Sequence, residues 1–245
     1  MKITILGNCG PYPSAGGACS GYLLEDGENK ILIDCGNGVL SRLLEKINNL
    51  DEITAVILTH LHSDHISDAM VLRYAVGINK EKGMLNKSIP LFAPAKPTEI
   101  FESLQFKDAF VLNTIDESTV LNFGDMQISF KLMVHPVETY GVVVQKGLKK
   151  FVYSSDTKYC NAVEEIAKDA DLFLCECNVM EIDKTEDTYH LSGKDVGQIA
   201  NISKVKRVLI THLWPEYNFN DVLNEVKSIF DGDVEIAEEF KTYEV

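Results

Sequence analysis

Ile53-Thr-Ala-Val-Ile-Leu-Thr-His-Leu-His-Ser-Asp-His65 is the stretch on which the reading of this chain turns. Its first half is apolar and β-branched, the pattern of a buried strand. Its second half places His60, His62, Asp64 and His65 within six residues. On extended backbone, side chains two apart point the same way, so His60 and His62 can grip one metal ion. Asp64 and His65 fall where the apolar run stops and a helix begins. A turn there swings them toward a neighbouring point suited to a second ion. Nothing about capping or turning a chain calls for imidazole, so a polar loop is a poor account of this cluster.

Upstream, Lys2 to Leu6 reads as a strand and Gly7 to Gly17 as a Gly/Pro-rich loop, of the kind that lines a site or simply turns the chain. Ser20–Glu25 and Lys30–Asp34 form a predicted hairpin around Asp26-Gly27, and Val39–Ile47 has helical periodicity. Downstream, a helix is predicted from Ser63 or Asp64 to about Asn79 and another from Pro97 to Leu104. Strands are predicted at Ile89–Phe92, Phe110–Ile115 and Met126–Val134. Tyr140–Gln145 and Lys150–Ser154 read as a hairpin around Gly147. Helices over Ala162–Ala170, Ser192–Ile202 and Asn220–Phe230 alternate with strands at Leu172–Glu176, Val208–Thr211 and Val234–Ala237. Strand groups followed by helices, twice over, indicate a mixed α/β (α+β) fold rather than a simple doubly wound sheet. No linker-like composition divides residues 1–245, so a single domain is expected.

Apolar residues make up 45% of the 245, enough for a sizeable core, and the net charge is −14. Such a surface repels polyanions unless a basic patch or bound cations offset it locally. The densest basic group, Lys146, Lys149 and Lys150, sits in the hairpin turn and reads as solvated loop. The first residues form a strand rather than a signal peptide, and no apolar run approaches a membrane span. A cytoplasmic location with no membrane partner is therefore expected, and the six cysteines are expected to be reduced. Cys175 and Cys177 face one side of a strand. Half of a zinc site is conceivable there, but no second pair has matching spacing, and buried apolar packing is the better reading.

The chain has six histidines. His135 and His212 each follow a strand-like run, as does Asp156, and strand ends are where a sheet gathers distant side chains. If they converge with the opening cluster, five histidines and two aspartates suffice for two ions. Imidazole and carboxylate without thiolate suit two Zn²⁺, with Mn²⁺ or Fe²⁺ as alternatives.

His60-Leu-His62-Ser-Asp64-His65 resembles the HxHxDH signature of the metallo-β-lactamase-fold hydrolases. His135, Asp156 in Ser-Ser-Asp-Thr and His212 in Ile-Thr-His match the remaining ligand motifs in order. Asp34 in Leu-Ile-Asp-Cys-Gly-Asn-Gly matches an upstream aspartate. The resemblance spans nearly the whole chain and implies a four-layer αββα sandwich with metals at one edge. Carried over, His60, His62 and His135 hold one ion. Asp64, His65 and His212 hold the other, and Asp156 bridges them. Asp34 is implied to steady the motif loop, although a plain turn-forming role before Gly36 fits nearly as well.

Two such cations acidify a shared water, giving a bridging hydroxide at neutral pH that attacks an electrophilic centre. His190, which the ligand set leaves over, and Asp64 are the candidate catalytic residues. His190, in His-Leu-Ser-Gly-Lys-Asp-Val-Gly, resembles the extra histidine of the phosphodiesterase branch, which steadies phosphoryl charge or protonates the leaving alkoxide. That branch includes the tRNA 3′-end endonuclease, ribonuclease Z. Its long tRNA-gripping arm has no room here, because only residues 136–155 separate His135 from Asp156. The expected partner is thus a small anionic substrate, a small or cyclic phosphodiester, with RNA disfavoured. Trp214, Pro215 and Tyr217 could stack a sugar or base, or simply pack. The alternatives are a ribonuclease Z-like endoribonuclease, a glyoxalase II-like thioester hydrolase, and a metal-binding scaffold or sensor without turnover. The family resemblance also suggests a homodimer.

Overall fold

The computed structural model describes residues 1–245 and contains two seven-stranded sheets. The first sheet is built from β1 (Lys2–Gly7), β2 (Gly21–Asp26), β3 (Asn29–Cys35), β4 (Ala55–Ile57), β5 (Ile89–Ala93) and β6 (Phe110–Thr114). The second uses β7 (Val120–Phe123), β8 (Met126–Leu132), β9 (Tyr140–Lys146), β10 (Lys149–Tyr153), β11 (Leu172–Glu176), β12 (Arg207–Thr211) and β13 (Asp233–Ile236). The last strand, β14 (Thr242–Glu244), returns to pair with β1. Both sheets follow one plan. β1–β3 and β7–β10 are antiparallel meanders, and each continues into parallel strands, β3–β6 and β10–β13.

Alternation along the strands decides which core each residue enters. On β3, Ile31 and Ile33 enter the core between the sheets, while Leu32 faces the helices. On β11, Leu172 and Leu174 enter that same central core, while Phe173 and Cys175 face the opposite helix layer. Helices α1 (Val39–Leu43), α2 (Ser63–Ile66), α3 (Ala69–Glu81) and α4 (Thr98–Ser103) accompany the first sheet. Helices α5 (Asn161–Ala167), α6 (Gly193–Ile202) and α7 (Phe219–Lys227) accompany the second. Helix, sheet, sheet, helix is the αββα sandwich of the sequence reading.

Several elements differ from expectation. The helix predicted over 63–79 is two helices, α2 and α3, broken at Ser67–Asp68 because the Asp68 amide donates to the Cys35 carbonyl (3.0 Å). Helix α1 stops at Leu43, and Leu44 is half exposed. Helix α7 starts one residue before the predicted Asn220, at Phe219, and Asn218 caps it: its side chain accepts the Asn220 amide. Ser192 and Asp195 close a capping box at the start of α6, worth about 1 kcal/mol. Cys175 and Cys177 are both buried, and all six cysteines are free thiols. No helix is long and apolar enough to cross a membrane.

Candidate metal centre

The histidine and aspartate motifs converge just beyond the ends of β4, β8, β10 and β12, at one edge of the gap between the sheets. Strand β4 stops at Ile57, so His60 and His62 stand on the link into α2, not on the strand itself. His62 is still extended (φ −72°, ψ 151°), and the two imidazoles do turn to one point. His135 and Asp156 lie three residues beyond β8 and β10, and His212 directly follows β12. Three non-glycine residues here take left-handed backbone: Asp34 (φ 56°), Ser155 (φ 54°) and His212 (φ 54°). Each costs about 1–3 kcal/mol, and each turns the chain sharply beside the cluster.

Two donor groups result among the ligand-motif residues, and a third, Glu176, His190 and His212, adjoins them. The first joins His60, His62, His135 and Asp156; the second joins Asp64, His65, Asp156 and His212. In the first, His62 Nδ1 stands 3.2 Å from His60 Nε2 and 3.1 Å from His135 Nε2. Neighbouring nitrogens around one tetrahedral ion with bonds of about 2.0–2.1 Å lie about 3.3 Å apart. In the second, His212 Nε2 is 3.1 Å from Asp64 Oδ2 and His65 Nε2 is 3.5 Å from it. Asp156 contributes to both, with Oδ1 3.4 Å from His65 Nε2 and Oδ2 3.7 Å from His60 Nε2. His65 Nε2 and Asp156 Oδ1 are buried without a hydrogen-bond partner. Stranding such atoms costs about 1–3 kcal/mol each, and a cation between them would satisfy both. The residues therefore fit a divalent metal ion.

Partners behind the rings aim the lone pairs inward. The His65 Nδ1–H donates to Asp34 Oδ2 (2.8 Å), and the His135 Nδ1–H donates to the Tyr189 carbonyl (3.3 Å). The Thr59 hydroxyl donates to Asp34 Oδ2 (3.0 Å), so it accepts from His60 Nδ1–H (3.2 Å). Each pairing turns Nε2 toward the cluster, the arrangement a metal-binding histidine needs. Burial, reinforced by His65, keeps His60 neutral, well below the usual histidine range. Burial opposes a charge on His65 too, but Asp156, Asp64 and Asp34 overcome it and raise that ring well above its ordinary value. A metal ion at Nε2 would displace the extra proton. Burial also works against ionisation of Asp156, yet His212, His65 and His60 hold it well below the carboxylate range.

His190 sits beside both groups. Its ring centroid is 5.4 Å from those of His135 and His212. Glu176, fully buried at the end of β11, accepts from His190 Nδ1 with both oxygens at 3.0 and 3.1 Å. Burial works against the charged ring, but the Glu176 carboxylate prevails and carries the pKa to about 9. Glu176 was not singled out from sequence. Its signal was available: a lone acid inside an otherwise apolar strand run, where burial demands a partner. A cavity of about 610 Å³ opens here, walled by His62, Asp64, His135, Asp156, His190 and His212. Gly10 closes against this wall; a Cβ there would meet His212 Nε2 at 2.0 Å. Trp214 and Tyr217 lie outside the cavity wall and contact each other edge-on.

Residues 29–213 match the family described as Beta-lactamase superfamily domain. A Bacillus subtilis protein described as "Probable metallo-hydrolase YhfI" is 32% identical over 238 residues, covering 97% of each chain. The crystal structure of YhfI superposes with a TM-score of 0.94 at 30% identity, covering 100% of this chain and 99% of that one. At 18% identity, the short form of human tRNase Z shares the fold (TM-score 0.78, covering 100% and 99%). So does a diphosphatase from the PhnP family, at 17% identity (TM-score 0.73, covering 100% and 97%). The chain thus belongs to the Beta-lactamase superfamily, as a metal-dependent hydrolase of the metallo-β-lactamase fold.

Proposed function

We propose that the chain is a phosphodiesterase that holds two divalent ions, Zn²⁺ by its donor chemistry, and cleaves a small or cyclic phosphodiester. His60, His62 and His135 would hold one ion, Asp64, His65 and His212 the other, with Asp156 shared. When bound, the metals acidify water and neutralise phosphoryl charge. The chain's own residues supply the rest. Asp34, Thr59 and the Tyr189 carbonyl keep His65, His60 and His135 in the tautomer that binds. The cavity wall seats the anionic diester against the donor groups.

The observation that carries this reading is the Glu176–His190 pair. Glu176 fixes Nδ1, so the proton that can be given away is on Nε2, which has no protein partner in a ring lining the cavity. A cationic imidazole so placed steadies a phosphoryl oxygen and then protonates the leaving alkoxide. Thioester hydrolysis has no such need, since a thiolate leaves without a proton. The connection from His135 to Asp156 contains the single β9–β10 hairpin with Gly147-Leu148 at its tip, which favours a small substrate over a polymer.

Zinc-reconstituted protein tested on chromogenic phosphodiesters, phosphomonoesters and thioesters is expected to hydrolyse the diesters best. Asp156→Ala should abolish that activity, and His190→Ala should slow it about 100-fold. Preference for thioesters, or a His190→Ala variant as active as wild type on diesters, would refute the reading.

A further inference from the structure

The donor set is divided between the sheets. His60, His62, Asp64 and His65 follow β4 of the first; His135, Asp156 and His212 follow β8, β10 and β12 of the second. Apolar burial between the sheets is non-directional and does not by itself aim individual side chains at one point. Shells shared across that gap need tighter placement, within about half an ångström. Directional contacts directly beneath the donors provide it.

Two fully buried tyrosines cross the gap in opposite directions. Tyr22 on β2 of the first sheet hydrogen-bonds Thr211 Oγ1 on β12 of the second at 2.8 Å. Tyr153 on β10 of the second sheet donates to Asp34 Oδ2 on β3 of the first at 3.2 Å. Their rings meet edge to face, with centroids 4.9 Å apart and planes at 63°. Ser155 Oγ adds a third crossing by donating to Thr59 Oγ1 at 2.7 Å, and the Tyr140 amide a fourth, to the Thr59 carbonyl at 3.0 Å.

Both tyrosine crossings end on the same half of the centre. Asp34, which Tyr153 holds, carries His65 Nδ1. Thr211, which Tyr22 holds, immediately precedes His212 at its left-handed turn. His65 and His212 both belong to the Asp64–His65–Asp156–His212 group. The other group is reached only indirectly, through Thr59 to His60.

We propose that Tyr22 and Tyr153 are paired positioning residues, a cross-sheet latch that preorganises the Asp64–His65–Asp156–His212 group for its ion. Neither tyrosine hydroxyl hydrogen-bonds a donor, so each acts through its partner, Thr211 or Asp34. The proposal rests on the two-ion reading above. Loss of a group bonded directly to a metal ligand weakens binding about 10- to 100-fold; each tyrosine stands one residue further out, so removing either hydroxyl should weaken one ion by less than that and spare the other.

Zinc affinity can be measured by competition with a chromophoric chelator in the wild type, Tyr22→Phe, Tyr153→Phe and the control Tyr243→Phe. Tyr243 is 2% exposed and hydrogen-bonded to the Glu238 amide, but sits on β14 away from the donors. Wild type and Tyr243→Phe should bind two ions with matching affinities. Tyr22→Phe and Tyr153→Phe should each bind one ion more weakly, by up to about tenfold, while the second affinity is kept. The zinc-induced rise in melting midpoint, read against each variant's own metal-free midpoint, should shrink in these two only. Two wild-type ions with unchanged affinities in both variants, or an equal weakening of both ions, would overturn the latch alone. A wild-type chain that does not bind two ions would overturn the two-ion reading and the latch together.

Discussion

Two buried carboxylates, Asp34 and Glu176, each hold one imidazole from behind, and the two were unequally legible. Asp34 stood in a glycine-rich turn, where a turn former and a histidine partner look alike; its side chain is both, at φ 56° and bonded to His65. Glu176 was hidden because its run reads as a buried strand, and the residue it serves lies fourteen positions away. The metal-donor motifs were readable because several histidines and aspartates at short spacing have no role in turns or caps. The Glu176–His190 pair makes a pH prediction. With its pKa raised to about 9, His190 is charged below that value. In the metal-loaded protein the bound cations neutralise Asp156 and Asp64 and repel a charged ring, so diesterase turnover should fall on the alkaline side at a pH below that value, with Glu176 still holding the proton on His190. Glu176→Gln removes the leading favourable charge, so the alkaline break in the pH–kcat profile should move down. A break unmoved by the substitution would separate it from His190. The same shift adds stability that is fully present below about 6.5 and is lost as pH rises through about 9.

At the scale of elements, sequence periodicity gave the long and strongly patterned pieces and failed where tertiary contacts intervene. Apolar spacing runs from Ile66 through Ala69 and Leu72 as one helix face, all buried. The break between α2 and α3 comes from residues thirty positions upstream: the Leu40 amide donates to Asp68 Oδ2 at 2.8 Å, and the Cys35 carbonyl takes the Asp68 amide. The edge strands β7 and β14 were missed because each is short and half exposed, with no apolar run to announce it. One helix end offers a clean test. After α6, the Val205 amide reaches the Ala200 carbonyl (3.0 Å) and the Lys204 amide reaches that of Asn201 (3.3 Å), with Lys204 at φ 55°. This is a Schellman ending, whose left-handed position favours glycine. Relief of about 1–2 kcal/mol of backbone strain outweighs glycine's entropic cost of about 0.5–1 kcal/mol. Lys204→Gly should therefore raise stability in denaturant titration by about 0.5 kcal/mol without altering diesterase activity. A loss of stability would contradict that account of the helix end.

For the whole molecule, the repeated succession of strand groups and helices was visible in the sequence, and it corresponds to two sheets built on one plan. What the chain order did not specify is that the sheets face each other with their parallel-strand ends at one edge, so that residues as distant as His60 and His212 share a centre. Pairing between sheets depends on which faces are apolar and on how twisted surfaces nest, and neither is local in sequence. The family resemblance supplied that convergence, and the distances are consistent with it: Asp156 stands between both donor groups. Because Asp156 is shared, its loss should damage both shells, whereas His62 belongs to one group only. The most direct test is the number of zinc ions retained per chain at equilibrium by wild type, His62→Ala and Asp156→Ala. The account predicts two ions, one ion, and loss of tight binding at both sites, respectively. A wild-type chain retaining one ion or none, or an Asp156→Ala chain still holding two, would contradict it.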